Sequence, residues 1–243
     1  MKKLLLVFAV VCCTLLAITG GHEPVSADND TGTVTDIDGN VYQTVKIGNQ
    51  VWTVENLRTT KYNDGTPIPL ITDSDAWEAL TTPGYCWYDN DIKNKSKYGA
   101  LYNLYTVDTK KLAPKGWHVP TDAEWTTLEN YLIANGNNWD GTTTDNKIAK
   151  SLAAQTDWQT DTKPGATGND LTKNNKSGFS AFPGGSRGST GNFSYAGSRG
   201  SWWSATEFDA SHDYNRLLSY ANVSLYRFSI VKSCGLSVRL LRD

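Results

Sequence analysis

The chain has 243 residues, of which 39% are hydrophobic and 20% charged, with 23 basic residues against 25 acidic ones. That length is enough to bury a sizeable core. The formal net charge of −2 leaves no broad positive face for a polyanion, which argues against nucleic acid as a partner.

The first segment reads as a targeting signal. Lys2 and Lys3 form a positive start, and residues 4–18 are largely apolar. Val25, Ser26 and Ala27 form a small-residue cleavage site. The apolar run is shorter than the ~20 residues a membrane span needs, so residues 1–27 are read as a cleaved signal peptide, leaving no membrane span in the mature chain. Cys12 and Cys13 raise the alternative of a lipid anchor, but Val10 and Val11 stand where a small residue is expected. Cleavage would leave about 216 residues, a length that suits one domain. The expected site of action is extracytoplasmic, secreted or at the cell surface.

Residues 28–33 read as a mobile polar leader, with one domain over 34–243. Asp38-Gly39 and Gly48-Asn49 are turn signals between β-rich runs, predicting an antiparallel meander that ends in a strand over residues 51–54. Residues 62–69 form a loop, residues 73–80 a short helix and residues 84–88 an aromatic strand. Residues 89–97 are loop-like, and residues 98–105 suit either a strand or a helix opening. The clearest helix starts at Thr121, where Thr121 and Glu124 can form a capping box. Trp125, Leu128, Leu132 and Ile133 recur on one face, and Asn135-Gly136 ends it. A shorter helix is predicted over 145–154, and a long surface loop over 157–176. A glycine-rich turn region follows, then four strands over 201–206, 216–220, 224–230 and 236–241.

Several blocks recur in a recognisable order. They are TDIDGNVYQTVKIGNQVWTVENLR, GYCWYDND, KYGALYNLYTV, LAPKGWHVPTDAEWTTLE, SGFSAFPGGSRG, GSWWSATE and SVRLLRD. In this order they resemble the Fibrobacter succinogenes major paralogous domain, a family of exported or cell-surface bacterial proteins, over roughly 34–243. The resemblance implies an α+β, C-type-lectin-like, loop-rich fold, with a twisted antiparallel sheet, one main capped helix and a second short helix. A more distant similarity is to the fold of formylglycine-generating enzymes. The resemblance implies cysteines, in many relatives, where this chain has Ala113 and Leu240, so both partners of the disulfide it suggests are absent together. Cys234 stands where relatives have an aromatic. Cys86 and Cys234 could pair in an oxidising compartment or remain two separate buried thiols.

No complete catalytic site is legible, and the chain is read as a non-enzyme. His118 lacks a nucleophile nearby in sequence, and local hydrogen bonding beside Trp117 accounts for it. Asp36, Asp38 and Asn40 resemble the start of a calcium loop, but Ile47 occupies the twelfth position, where a bidentate Glu is needed. The hairpin explains the same residues without metal, so no cofactor is expected; calcium in another loop stays open, without a ligand pattern. Trp52, Trp87, Trp117, Trp125, Trp202 and Trp203 lie in the family blocks and are expected in the core. Other aromatics could offer flat faces to a sugar. Phe208, His212, Tyr214, Tyr220, Asn222 and Tyr226 mix aromatic and small polar types, as adaptable binding loops do. The expected function is an exported binding module that holds a glycan or surface protein in the loops before the C-terminal strands. Alternatives are a structural envelope or appendage component and an oxidase-like enzyme. The oligomeric state is left open.

Overall fold

The computed structural model describes residues 32–243, so the expected signal peptide and residues 28–31 of the expected leader lie outside the described residues. Residues 32 and 33 are not a free leader. Thr33 pairs with Gln43, and the Gly32 amide donates to Thr44 Oγ1 at 2.9 Å.

The meander forms as the turn signals predict. Strands β1 (Thr33–Thr35), β2 (Val41–Ile47) and β3 (Gln50–Thr53) run antiparallel. Over the first half of β2 burial alternates, with Tyr42 and Thr44 inward, whereas Ile47 is buried on the opposite face, in the core with Trp52 and Trp125. The Asp36 carboxylate explains the first turn. It accepts from the Asp38 and Asn40 amides at 3.0 and 2.9 Å, and from the Tyr42 hydroxyl at 2.5 Å.

Next come α1 (Ser74–Glu78), capped by Asp73, and β4 (Tyr85–Cys86). Residues 89–97 are not a plain loop: two 3₁₀ turns, Tyr88–Asn90 and Ile92–Asn94, lead into α2 (Lys95–Tyr98). The ambiguous stretch after them is both things at once, β5 (Leu101–Tyr102) followed by α3 (Leu104–Asp108), because the Asn103 side chain caps the helix. After the two-residue β6 (Trp117–His118) stands α4 (Asp122–Ala134), with its capping box intact and Trp125, Leu128 and Leu132 buried. The second helix shrinks to α5 (Ala149–Leu152).

The glycine-rich region is stranded, as β7 (Gly184–Arg187) and β8 (Phe193–Ala196). Then follow β9 (Arg199–Glu207), β10 (His212–Ser219) and β11 (Tyr226–Val231). Only Leu241–Arg242 forms the last strand, β12. The predicted strand over 236–241 is instead extended chain tied by single bridges, Leu236 to Tyr102 and Ser237 to Trp202.

Two five-stranded sheets result, in the orders β1-β2-β3-β12-β6 and β11-β10-β9-β7-β8, beside the β4-β5 pair. Strand pairing is antiparallel except between β7 and β9. The architecture is therefore α+β, mostly antiparallel sheet with few helices.

Consecutive residues on β9 join the layers. Side chains alternate across a strand, so Trp202 and Trp203 point to opposite faces. Trp203 enters a core with Tyr102, Leu104 and Val238, while Trp202 enters another with Trp52, Trp125 and Phe179. Each indole N–H is paired, Trp203 to the Tyr102 carbonyl at 2.7 Å and Trp202 to Asn56 Oδ1 at 2.8 Å.

Candidate functional site on the second sheet

The register of β10 and β11 decides which side chains share a surface. Partners opposite each other in an antiparallel pair project to the same face. Tyr214 stands opposite Ser229, and Arg216 opposite Arg227; Asn215 stands opposite Phe228, and Leu217 opposite Tyr226. The two sets occupy opposite faces.

The first face lies under α4. The buried Arg216 guanidinium reaches Asp122 at 2.5 Å, and Arg227 reaches the same carboxylate at 2.9 Å. Arg227 also stacks over the Tyr214 ring at 3.7 Å, and Tyr214 meets Phe208 edge-on at 5.2 Å. Tyr214 is thus held by the latch between strand and helix.

The second face is closed at Asn215, which is buried, and opens toward β11. Tyr226 and Phe228 stack with ring centroids 5.6 Å apart and an interplanar angle of 23°. With Leu217, Arg199, Ser219 and Asn222 they line a shallow depression of about 340 Å³. Arg199 stacks in turn over the Tyr195 ring at 3.9 Å, and Phe228 and Tyr195 are 51% and 49% exposed. A row of flat faces with a guanidinium and an amide beside it can hold a planar or pyranose group by stacking and hydrogen bonds.

The six residues singled out from sequence therefore do not form one site. Asn222 and Tyr226 share the depression. Phe208, His212 and Tyr214 gather at the β9–β10 end, where His212 and Tyr214 are strand residues rather than loop. The His212 amide and ring both meet Asp209, at 2.9 and 3.1 Å. Tyr220 is half-buried against the Trp202 core. Phe228, Leu217 and Arg199 were missed. Alternation from Tyr226 would have found Phe228, but the other two depend on strand register.

A family model for the Fibrobacter succinogenes major domain matches residues 45–242. The chain belongs to this family. Neither curated proteins nor solved structures yield a match.

Within this Fibrobacter succinogenes major domain, the conspicuous sequence landmarks have structural explanations. Trp52, Trp87, Trp125, Trp202 and Trp203 are buried, and Trp117 is half-buried. Ala113 and Leu240 lie in one core cluster. Cys86 and Cys234 are separate free thiols, both buried. Burial pushes Cys86 up to about 12 and Cys234 up to about 11, away from the reactive thiolate.

His118 sits between two carboxylates, with Nε2 2.9 Å from Glu124 Oε1 and Nδ1 2.6 Å from Asp243 Oδ1. Burial opposes its charge, but the Asp243 hydrogen bond and the Glu124 charge prevail and raise its pKa. Glu124 serves two ends, since its Oε2 accepts from the Thr121 amide at 2.8 Å.

Among the described residues, no group of three or more His, Cys, Asp or Glu side chains is placed to hold a metal ion. None of the described helices is long and apolar enough to cross a membrane.

Proposed function

We propose that the chain is an exported, non-enzymatic binding module of C-type-lectin-like type, and that it holds a glycan or protein ligand on the open face of β10 and β11. The observation that carries this reading is the stacked Tyr226–Phe228 pair beside Arg199 and Asn222. Aromatic rings left in water around a depression are costly to solvate and ready to be covered. Support against catalysis comes from the thiols, whose burial opposes the reactivity that an oxidase of formylglycine-generating type would need.

The test is binding of the purified protein to a glycan array and to cell surfaces, beside a Tyr226→Ala/Phe228→Ala variant checked for native unfolding behaviour. Binding by the parent that falls at least tenfold in the folded variant supports the module. Binding that is absent, or indifferent to the substitutions, overturns the site.

A second reading, an envelope or appendage subunit, is favoured by one feature. β11 ends its sheet, and Arg227, Phe228 and Ser229 on it are successively exposed. Such an edge can pair with a strand from another subunit. Light scattering that shows self-assembly, lost on substitution of Phe228, would favour it.

A further inference from the structure

A second cavity lies away from the aromatic face. It has a volume of about 500 Å³, within the range that small-molecule sites occupy, and is bounded by residues 136–139, 141, 150–151, 164–165, 169, 173 and 176. Its ionisable lining is all of one sign, Lys150, Lys173 and Lys176, and the rest of the wall is asparagine, serine, glycine, proline and one tryptophan.

That tryptophan is Trp139, which is 44% exposed while Trp52, Trp77, Trp125, Trp202 and Trp203 are at most 1% exposed. Its indole rests on the Gly165 backbone, where an added Cβ would fall 2.2 Å from the ring. Gly165 also has φ +79°, which disfavours any other residue. The Trp139 backbone N–H is spent on the Lys147 carbonyl at 3.1 Å, but its indole N–H donates to no acceptor among the described residues. A flat, supported ring with an unspent donor at the mouth of a polar cavity is the form of a sugar-stacking platform.

The lysines divide into two roles. Lys150 is buried, and its ammonium donates to the carbonyls of Ala166, Asn169 and Asp170. It fixes the loop and leaves positive charge beneath the cavity. Lys173 and Lys176 reach it from the rim. Lys173 meets Asp170 at 3.1 Å with its side chain 74% exposed, and Lys176 donates to the Gly136 carbonyl at 2.8 Å. Both can turn further donors to a ligand.

We propose that this cavity binds an acidic carbohydrate, with a pyranose ring stacked on Trp139 and its carboxylate held by Lys173 and Lys176. The same loop joins the cavity to the aromatic depression. Asn169 lines the cavity, and the Thr167 and Gly168 amides donate to the Asn222 and Tyr220 carbonyls at 3.0 and 2.7 Å. The two sites are independent in composition, so either can fail without the other.

Titration calorimetry of the purified protein with digalacturonic acid, N-acetylneuraminic acid and neutral galactobiose tests this. The expected result is saturable binding of at least one acid, at least tenfold tighter than galactobiose and weakened by salt. The two acids separate a uronic from a sialic source. Trp139→Ala should abolish binding, and Lys173→Gln/Lys176→Gln should lower it at least tenfold and flatten the salt dependence. All three side chains are surface groups, and equal thermal midpoints would show the variants folded. Tyr226→Ala/Phe228→Ala should leave this binding unchanged. No saturable binding of either acid, equal affinity for galactobiose, or indifference to the lysine pair would overturn the proposal.

Discussion

Arg239 donates through Nε to Asn56 Oδ1 at 2.8 Å, and both residues are buried. The same oxygen accepts from the Trp202 indole. The guanidinium also supplies the carbonyls of Thr53, Phe179 and Ser180 at 2.7–3.0 Å, so one side chain ties β3, the segment before β7 and the β9 tryptophan together. Arg239→Met would remove this donor from the carbonyls of Thr53, Phe179 and Ser180, while Asn56 Oδ1 keeps the Trp202 indole. Each orphan costs roughly 1–3 kcal/mol, so a loss above about 3 kcal/mol is expected in denaturant unfolding. Arg239→Lys should rescue little, because an ammonium lacks the planar fork.

Asp122 neutralises two arginines of unequal burial, Arg216 at 0% and Arg227 at 47% side-chain exposure. Asp122→Asn leaves Arg216 charged and buried, for which a cost of roughly 3–5 kcal/mol is expected. Arg227→Ala breaks only the exposed pair and should cost about 1 kcal/mol or less. Similar costs for the two variants, measured by urea unfolding, would refute this division.

Thr121→Ala removes one half of the capping box and should destabilise by ~1 kcal/mol. His118 adds a pH-dependent part. Its folded pKa is raised above 6.5, so its contribution is complete below that value and fades as pH rises through the folded pKa. The stability gap between parent and His118→Gln should therefore be wider at pH 5.5 than at pH 8.5. For a half-exposed cluster the difference should be about 1 kcal/mol or less.

Asp213 shows the opposite chemistry on β10. Burial and the nearby Asp108 charge raise its pKa to about 7, although Lys232 lies 3.9 Å away and opposes the shift. The unfolded chain ionises this group near 3.8, so between the two values the native state keeps a proton that the unfolded state has lost. Stability from this group is full below the lower value and falls as pH rises toward 7. Asp213→Asn should abolish that decline and make the protein more stable than the parent at pH 8, by roughly 2–4 kcal/mol at 1.36 kcal/mol per unit. Matching pH–stability curves would refute it.

Signals that reside in a few adjacent residues were readable. The capping box at Thr121, the Asp38-Gly39 turn and the buried tryptophans of β9 each declare themselves locally. Strands of two residues such as β6 do not, since period-2 alternation needs a longer run. The glycine-rich stretch hid β7 and β8 because Gly184 and Gly185 give no side-chain pattern; at Gly185 a Cβ would fall 2.5 Å from the Ser194 carbonyl oxygen. Half of the candidate face on β10 and β11 escaped for a different reason. The β9–β10 register shifts between Asp213 and Asn215, and that shift lies beyond the reach of local reading. Trp139 escaped because exposure, not residue type, sets it apart.

The position of β12 has a consequence for how the molecule is made. Leu241 pairs with Trp52 on one side and His118 on the other, so a segment made after β1, β2, β3 and β6 lies between β3 and β6 in the first sheet. Chains emerge from the ribosome with their N-terminal residues first. β3 and β6 must therefore wait, each with an unpaired edge, until Leu241 has been synthesised. Contacts at such sequence separation slow folding. Joining β3 to β6 therefore depends on contacts that span much of the domain's sequence, and the two strands stay apart until those contacts form.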